Sequence, residues 1–353
     1  METAQGPIRG RGASSNPANR FELIHYERDE TIPEEESSSP STRFYRDHTR
    51  SILTSNDSPD VGFEVSINPY RGCEHGCIYC YARPTHEYLG FSAGLDFETQ
   101  ILVKEDAPAL LRKEMAAPKW QPKVVSLSGV TDPYQPIERR LQLTRRCLEV
   151  FVEFRNPVGV VTKNHLICRD IDLLSELAQH QAAAAFLSIT TLDGELARRM
   201  EPRATHPAGR LAALSELAHA GVPVGVLVAP VIPGLNDHEM PAILEAAAKA
   251  GARYAGYVLL RLPHGLGPLF EQWLRHHYPE RCDKVLSRLR DTRGGAIYDP
   301  RFGSRMKGTG VLAEQIASLF ALSCRRAGIG SGFPVLSTAA FRRPGGTQRL
   351  LFE

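Results

Sequence analysis

From residue 61 to about 262 the chain alternates strand-length apolar runs with helical patterns, and this alternation constrains the fold more than any other feature. Apolar runs fall at 63–67, 124–127, 158–161, 185–189, 222–228 and 254–260. Helical periodicities lie at 107–115, 141–154, 171–179, 210–220 and 243–250. Strands separated by helices pair in parallel through right-handed crossovers. Six such units predict an α/β fold in which the sheet curls into a TIM-like (β/α)6 barrel or part of one. Loops at the C-terminal ends of the strands then carry the chemistry.

Flanking this core, residues 1–60 are low in aliphatics and contain Glu34-Glu-Glu-Ser-Ser-Ser-Pro-Ser41. They read as a mostly flexible arm, a composition that buries too little apolar surface to offset ordering. Arg9 and Arg11 within it fit a solvated tail or a phosphate-contacting arm. Residues 263–353 read as a helical C-terminal extension, with amphipathic patterns at 269–275, 285–289 and 311–322 closing the barrel floor. Arg261 to Arg326 hold 12 Lys or Arg against 6 Asp or Glu, with Trp273, Tyr278, Tyr298 and Phe302 interspersed. Such a mixture suits single-stranded or distorted nucleic acid as well as a solvated helix face. The net charge of +2 selects no partner. No run is long and apolar enough to span a bilayer, no export segment is evident, and seven cysteines are an odd number. Reduced thiols in a cytoplasm are expected; the oligomeric state is not legible.

The densest chemistry is in Asn68-Pro-Tyr-Arg-Gly-Cys-Glu-His-Gly-Cys-Ile-Tyr-Cys-Tyr-Ala-Arg83, which follows the first strand. It spaces Cys73, Cys77 and Cys80 as C-x3-C-x2-C. Structural zinc and four-iron clusters both take four ligands, so three thiolates leave one position for a ligand from outside. His75 completing a Cys3His zinc site is the alternative, although it sits close between two cysteines. Gly72 and Gly76 let the loop turn tightly, and Tyr79 and Tyr81 offer aromatic faces beside the last cysteine.

The C-x3-C-x-aromatic-C string after a first strand resembles the signature of radical S-adenosylmethionine (SAM) enzymes. The longer pattern, from Arg71-Gly-Cys through Tyr79-Cys-Tyr81 to Ser128-Gly-Val-Thr-Asp-Pro133, is similar to the spore photoproduct lyase and DNA repair photolyase-like branch. The resemblance implies a partial (β/α)6 barrel of radical SAM type, with Cys73, Cys77 and Cys80 holding a 4Fe-4S cluster whose open iron is chelated by SAM. It also implies reduction by a cytoplasmic one-electron donor such as flavodoxin or ferredoxin. Reductive cleavage of SAM to a 5′-deoxyadenosyl radical follows, then hydrogen abstraction from a substrate for which nucleic acid is a candidate. A cluster-bearing SAM binder without turnover, and a zinc-binding nucleic-acid module, are the non-catalytic alternatives.

Residues at the strand ends fit this resemblance to different degrees. Ser128, Thr131 and Asp132 suit the SAM amino group and ribose, or simply close an Asp-Pro turn. Lys163, after an apolar run, matches the position that contacts the SAM carboxylate in the lyase-like relatives, or snorkels to solvent. Ser188 and Thr190 share a strand face and suit ribose if that face is the barrel interior. Asn236 and Glu239 have capping-box spacing, after a tight turn at Pro230, Pro233 and Gly234 whose backbone suits adenine. Tyr79, also suited to adenine, and Tyr81 preserve a tyrosine-based radical relay. Cys168 is a candidate hydrogen donor or an inert thiol, and Cys147, Cys282 and Cys324 are packing residues. One departure is notable: the lyase's hydrogen-donating cysteine, three residues before the aspartate of the second-strand loop, is Gly129 here, so the same lyase route is not expected.

Overall fold

All six expected strand and helix units occur in one sheet, in sequence order. The computed structural model describes residues 6–21 and 40–344. Its strands are β1 (Arg43–Arg46), β2 (Thr54–Ser55), β3 (Val65–Ile67), β4 (Tyr70–Arg71), β5 (Gln100–Val103), β6 (Val125–Leu127), β7 (Val158–Thr162), β8 (Ala183–Ser188), β9 (Val224–Val231), β10 (Tyr254–Leu259) and β11 (Gly330–Ser331). The main sheet runs β11-β10-β9-β8-β7-β6-β3-β2, and all its pairings are parallel except β2 with β3. Its two edges do not meet, so the barrel is partial.

Register aligns Ile67 with Leu127, Leu127 with Val160, Val160 with Ala185 and Ala185 with Val224. Strand β8, Ala183-Ala-Ala-Phe-Leu-Ser188, is buried throughout, as expected of a central strand covered on both faces. The outer helices lay i, i+3 and i+4 apolar stripes on the sheet. In the helix Leu143–Phe154, Cys147, Leu148, Val150, Phe151 and Phe154 are buried; in Ile171–Gln179, Leu174 and Leu177.

Two features of the flanks differ from the expectations. The helices Leu266–His277 and Pro279–Asp291 do not close the floor: Phe270, Trp273, Val285 and Leu286 pack on Cys77, Ile78 and Tyr79 and on Ile232 and Leu260, at the C-terminal ends of β9 and β10. The helix Val311–Ala327 joins the outer layer beside Met240–Lys249, and β11 extends the sheet past β10. In the N-terminal 60 residues, β1 pairs with β5 in a small second sheet, β1-β5-β4, and Ala13 is buried. The rest of that expected flexible arm, residues 1–5 and 22–39, lies outside the described residues, as does 345–353 of the C-terminal extension.

Candidate metal centre

The cysteine loop leaves β4 and is clamped from both sides. Gly72 and Gly76 have φ of +78° and +67°, and a Cβ on Gly76 would come within 2.7 Å of Glu98. Below the loop, the buried Arg83 guanidinium pairs with the equally buried Glu98 and donates to the Cys77 carbonyl at 2.9 Å. Glu98 also accepts the backbone amides of Gly12 (3.0 Å) and Ala13 (2.8 Å). The N-terminal segment therefore locks onto the loop, and Arg11 is neither solvated nor free for phosphate: it donates to the Glu98 carbonyl at 3.0 Å. Above the loop, Glu201 pairs with Arg210, both buried, and accepts hydrogen bonds from Tyr79 and Thr190. Arg210 also donates to the Ser188 carbonyl at 2.9 Å.

Cys73, Cys77 and Cys80 are all free thiols. Burial pushes all three up, Cys77 to about 12 with Glu201 adding to the effect, while Lys163 pulls Cys77 and Cys80 the other way. Thiols that resist ionisation alone become thiolate ligands once a metal displaces their protons. Donor spacing separates the two metals considered. A single tetrahedral zinc holds its donors within about 4 Å of one another. Among the described residues, three-donor groups within 4.8 Å reduce to His165, Cys168 and Glu216, so the triad is spread more widely. His75, the candidate fourth zinc ligand, is buried with Nδ1 3.3 Å from Asp132 and Nε2 3.2 Å from Asn164. A wide, three-thiol loop fits a multi-iron cluster.

The second-strand loop is fastened to the cysteine loop. The Asn68 side chain accepts the amides of Val130 and Thr131, both at 3.1 Å, and Gln135 links the Glu74 amide (3.0 Å) to the Gly72 carbonyl (3.2 Å). Asp132 is held here as well. Burial alone would raise its carboxyl, but charge and hydrogen bonding from His75, with Thr162 at 2.7 Å and the Lys163 amide at 2.8 Å, bring it down to about 2. Its oxygens are thus occupied by the protein, and Thr131 Oγ1 donates to the Tyr70 carbonyl at 3.3 Å. Ser128, half-buried, donates to the Thr131 carbonyl at 3.4 Å.

Lys163 contrasts with these. Its ammonium lies 5.8 Å from the Tyr79 ring centre, and no carboxylate among the described residues is within ion-pairing distance. Thr190 faces the loop, with Oγ1 on Glu201 at 2.6 Å and near Tyr79 at 3.3 Å, whereas Ser188 contributes its carbonyl. Tyr79 is buried, and Tyr81 is exposed with its hydroxyl donating to the Gly129 carbonyl. Cys168 lies elsewhere: its thiol faces the helix Pro207–His219, 4.0 Å from the Ala213 carbonyl, and burial and Glu216 push it up to about 12. The Asn236–Glu239 capping box does not form. Asn236 instead bonds the Ile232 amide and the Thr190 and Pro230 carbonyls, and Glu239 accepts from Thr191 and Leu192.

Sequence reasoning passed over Glu98, Arg83, Glu201 and Arg210. The available signal was an isolated charge within or just beyond the motif loops, as with Glu201 after the fourth strand, where a buried partner, here Arg210, satisfies what an apolar surrounding would otherwise penalise.

Comparisons with known proteins place this geometry. Residues 67–247 match the family model of the radical SAM superfamily. An uncharacterised protein of Mycobacterium tuberculosis is 36% identical over 262 residues, 73% of this chain and 74% of that protein. A radical SAM Nα-GlyT isomerase of Pseudomonas phage M6 is 22% identical over 263 residues, 74% of this chain and 53% of the isomerase. Among solved structures, spore photoproduct lyase complexed with dinucleoside spore photoproduct superposes with a TM-score of 0.59 at 17% identity, covering 82% of this chain and 81% of the lyase, and so shares its fold.

Proposed function

Because the chain belongs to the radical SAM superfamily, enzymes that cleave SAM reductively, we propose that Cys73, Cys77 and Cys80 hold a 4Fe-4S cluster and that the radical made there abstracts hydrogen from a separate substrate. When bound, the cluster would supply one electron to the SAM sulfonium, breaking its bond to the 5′ carbon and releasing methionine and a 5′-deoxyadenosyl radical. The single observation that carries the reading is three free thiols on one loop, two buried and the third partly so, that do not group as donors to one ion, beside a lysine that pairs with no carboxylate among the described residues.

The protein's part is placement. Lys163 offers a cation to the SAM carboxylate, and its backbone amide tethers Asp132, so the two strand-end loops set each other's position. Thr190 and Tyr79 form a polar wall, both held by Glu201. Asp132, Thr131, Ser128 and Ser188 act by holding the loops that surround the cofactor. The closed packing of the helices Leu266–His277 and Pro279–Asp291 on the loop excludes water from that side.

Seven free cysteines fit a reducing compartment, and no helix among the described residues is long and apolar enough to cross a membrane. The reading therefore includes a cytoplasmic one-electron donor such as flavodoxin or ferredoxin. A nucleic-acid substrate is supported by the fold shared with a lyase solved with a dinucleoside photoproduct. Gly129 leaves no thiol at that point of the loop, which supports an outcome other than that lyase's.

The test is anaerobic reconstitution of wild type and Cys77→Ala, followed by iron and sulfide analysis, electron paramagnetic resonance with and without SAM, and assay of 5′-deoxyadenosine. A SAM-dependent change in the reduced wild-type spectrum, lost in Cys77→Ala, is expected. Failure of wild type to take up iron, or a fourth protein ligand on the cluster, would sink the reading.

A further inference from the structure

Strand β10 ends at Leu259 and runs on into Leu260-Arg261, and around that end cations outnumber carboxylates. Arg305 is closed by Asp60 and Arg301 by Asp299. Arg261 and Arg293 have no such partner among the described residues. Arg293 is only 3% exposed; it donates to the carbonyls of Leu260 and Ser304, both at 2.9 Å, and its Nε is buried with no acceptor. The Nε of Arg261 is likewise buried and unpartnered, and one terminal nitrogen meets the Met306 sulfur at 3.3 Å, a weak acceptor.

The Arg261 guanidinium lies 4.8 Å from the centre of the Tyr81 ring, and Tyr81 is 45% exposed and directly follows Cys80. Phe302, at 60% exposure beneath Arg305, adds a second open ring. Cation and ring attract each other, but the ring supplies no counter-charge. Two neighbouring guanidinium groups short of acceptors, at the mouth of the barrel, are stabilised best by an anion from outside. A guanidinium binds phosphate through two parallel hydrogen bonds, and exposed rings beside it stack on bases.

We propose that Arg261, backed by Arg293 and laid against Tyr81, anchors a phosphate group of a nucleotide-like substrate at the rim of the cysteine loop. The proposal deepens the radical reading and rests on it for the fate of the bound molecule, although binding itself is measured without turnover.

The test titrates anaerobically reconstituted full-length protein by calorimetry with inorganic phosphate, thymidine 5′-monophosphate and SAM. Wild type is expected to bind the nucleotide, and R261Q to weaken it about tenfold or more. R261K recovers part of the loss, because it keeps the charge without the planar fork. Equal binding by wild type and R261Q, or none by wild type, overturns the assignment. So does a loss in R261Q that falls on SAM instead, which would give the arginines to the SAM carboxylate. Should R261Q fail to fold, Y81L on the open rim reads the same site: nucleotide binding weakens while inorganic phosphate is retained, and no difference between the two ligands counts against the proposal. Absence of 5′-deoxyadenosine from wild type would sink the radical reading and leave the calorimetry standing.

Discussion

Two buried arginine–glutamate pairs grip the cysteine loop, and they do so differently. Arg83–Glu98 lies beneath it and is completed by backbone amides of Gly12 and Ala13, which arrive from a segment more than eighty residues away in sequence. Arg210–Glu201 lies above it and is completed by side chains, the Tyr79 and Thr190 hydroxyls, that belong to the candidate site itself. The lower pair is an anchor between chain segments, whereas the upper pair polarises groups beside Cys77. A buried ion pair is weak support for stability by itself, but removing one partner strands a charge in the interior. The two pairs therefore predict different failures.

The largest effect is expected below the loop. Arg83→Met leaves Glu98 charged and buried and removes the donor to the Cys77 carbonyl, so it should cost about 3–5 kcal/mol in denaturant unfolding and lower iron uptake on reconstitution. If iron uptake stays at the wild-type level despite that loss, the lower pair is an anchor of the fold and has no hold on the triad.

Above the loop the signature is in the acid range. Burial alone would raise the Glu201 carboxyl, but the Arg210 and Lys163 charges outweigh it and hold it at about 2, against an ordinary value of 4.5. A carboxyl depressed in the fold contributes stability that is complete above its unfolded value and is lost as pH falls through the folded one. The Glu201 contribution is thus present at neutral pH and disappears between about pH 4.5 and 2, amounting to at most about 3 kcal/mol. Glu201→Gln should flatten that part of the stability profile. Some slope must remain, since Asp132, also held at about 2 against 3.8, titrates in an overlapping window. An unchanged acid profile would remove the upper pair's distinctive role.

What was legible in the sequence follows the same division. The six strands and their outer helices could be read because burying one face imposes a period on residues such as Leu174 and Leu177, and periods survive without any knowledge of partners. The triad could be read because ligand spacing within one short loop is local. Glu98, Glu201 and Asn68 could not, since each is defined by donors that only the fold brings near, and a lone polar residue in a loop looks the same whether it caps a turn or closes a network. Within the arm at 1–60 that composition predicts to be mostly flexible, residues 11–13 depart from the expectation for a related reason: the composition offers little apolar surface, and the segment is held through Arg11 and backbone amides meeting Glu98.

Gly12→Ala probes that grip with less force. A Cβ there would stand 1.8 Å from the Gly76 carbonyl oxygen, so the segment or the loop must shift. About 1–3 kcal/mol is expected from overpacking, with iron uptake reduced less than in Arg83→Met. A neutral outcome would mean that the segment seats without touching the loop.

The smallest effect belongs to Cys168, which lies outside both grips. Its half-buried thiol packs on Ala213 and Glu216, and its raised pKa keeps it a neutral thiol at physiological pH. Cys168→Ala should therefore cost under about 1 kcal/mol and leave 5′-deoxyadenosine formation at the wild-type rate. The informative exception would be intact SAM cleavage with product formation abolished. That pattern would require the helix Pro207–His219 to move far enough for this thiol to reach a substrate radical, and would make the loop after β7, rather than the two buried pairs, the part of the molecule that decides the outcome of the reaction.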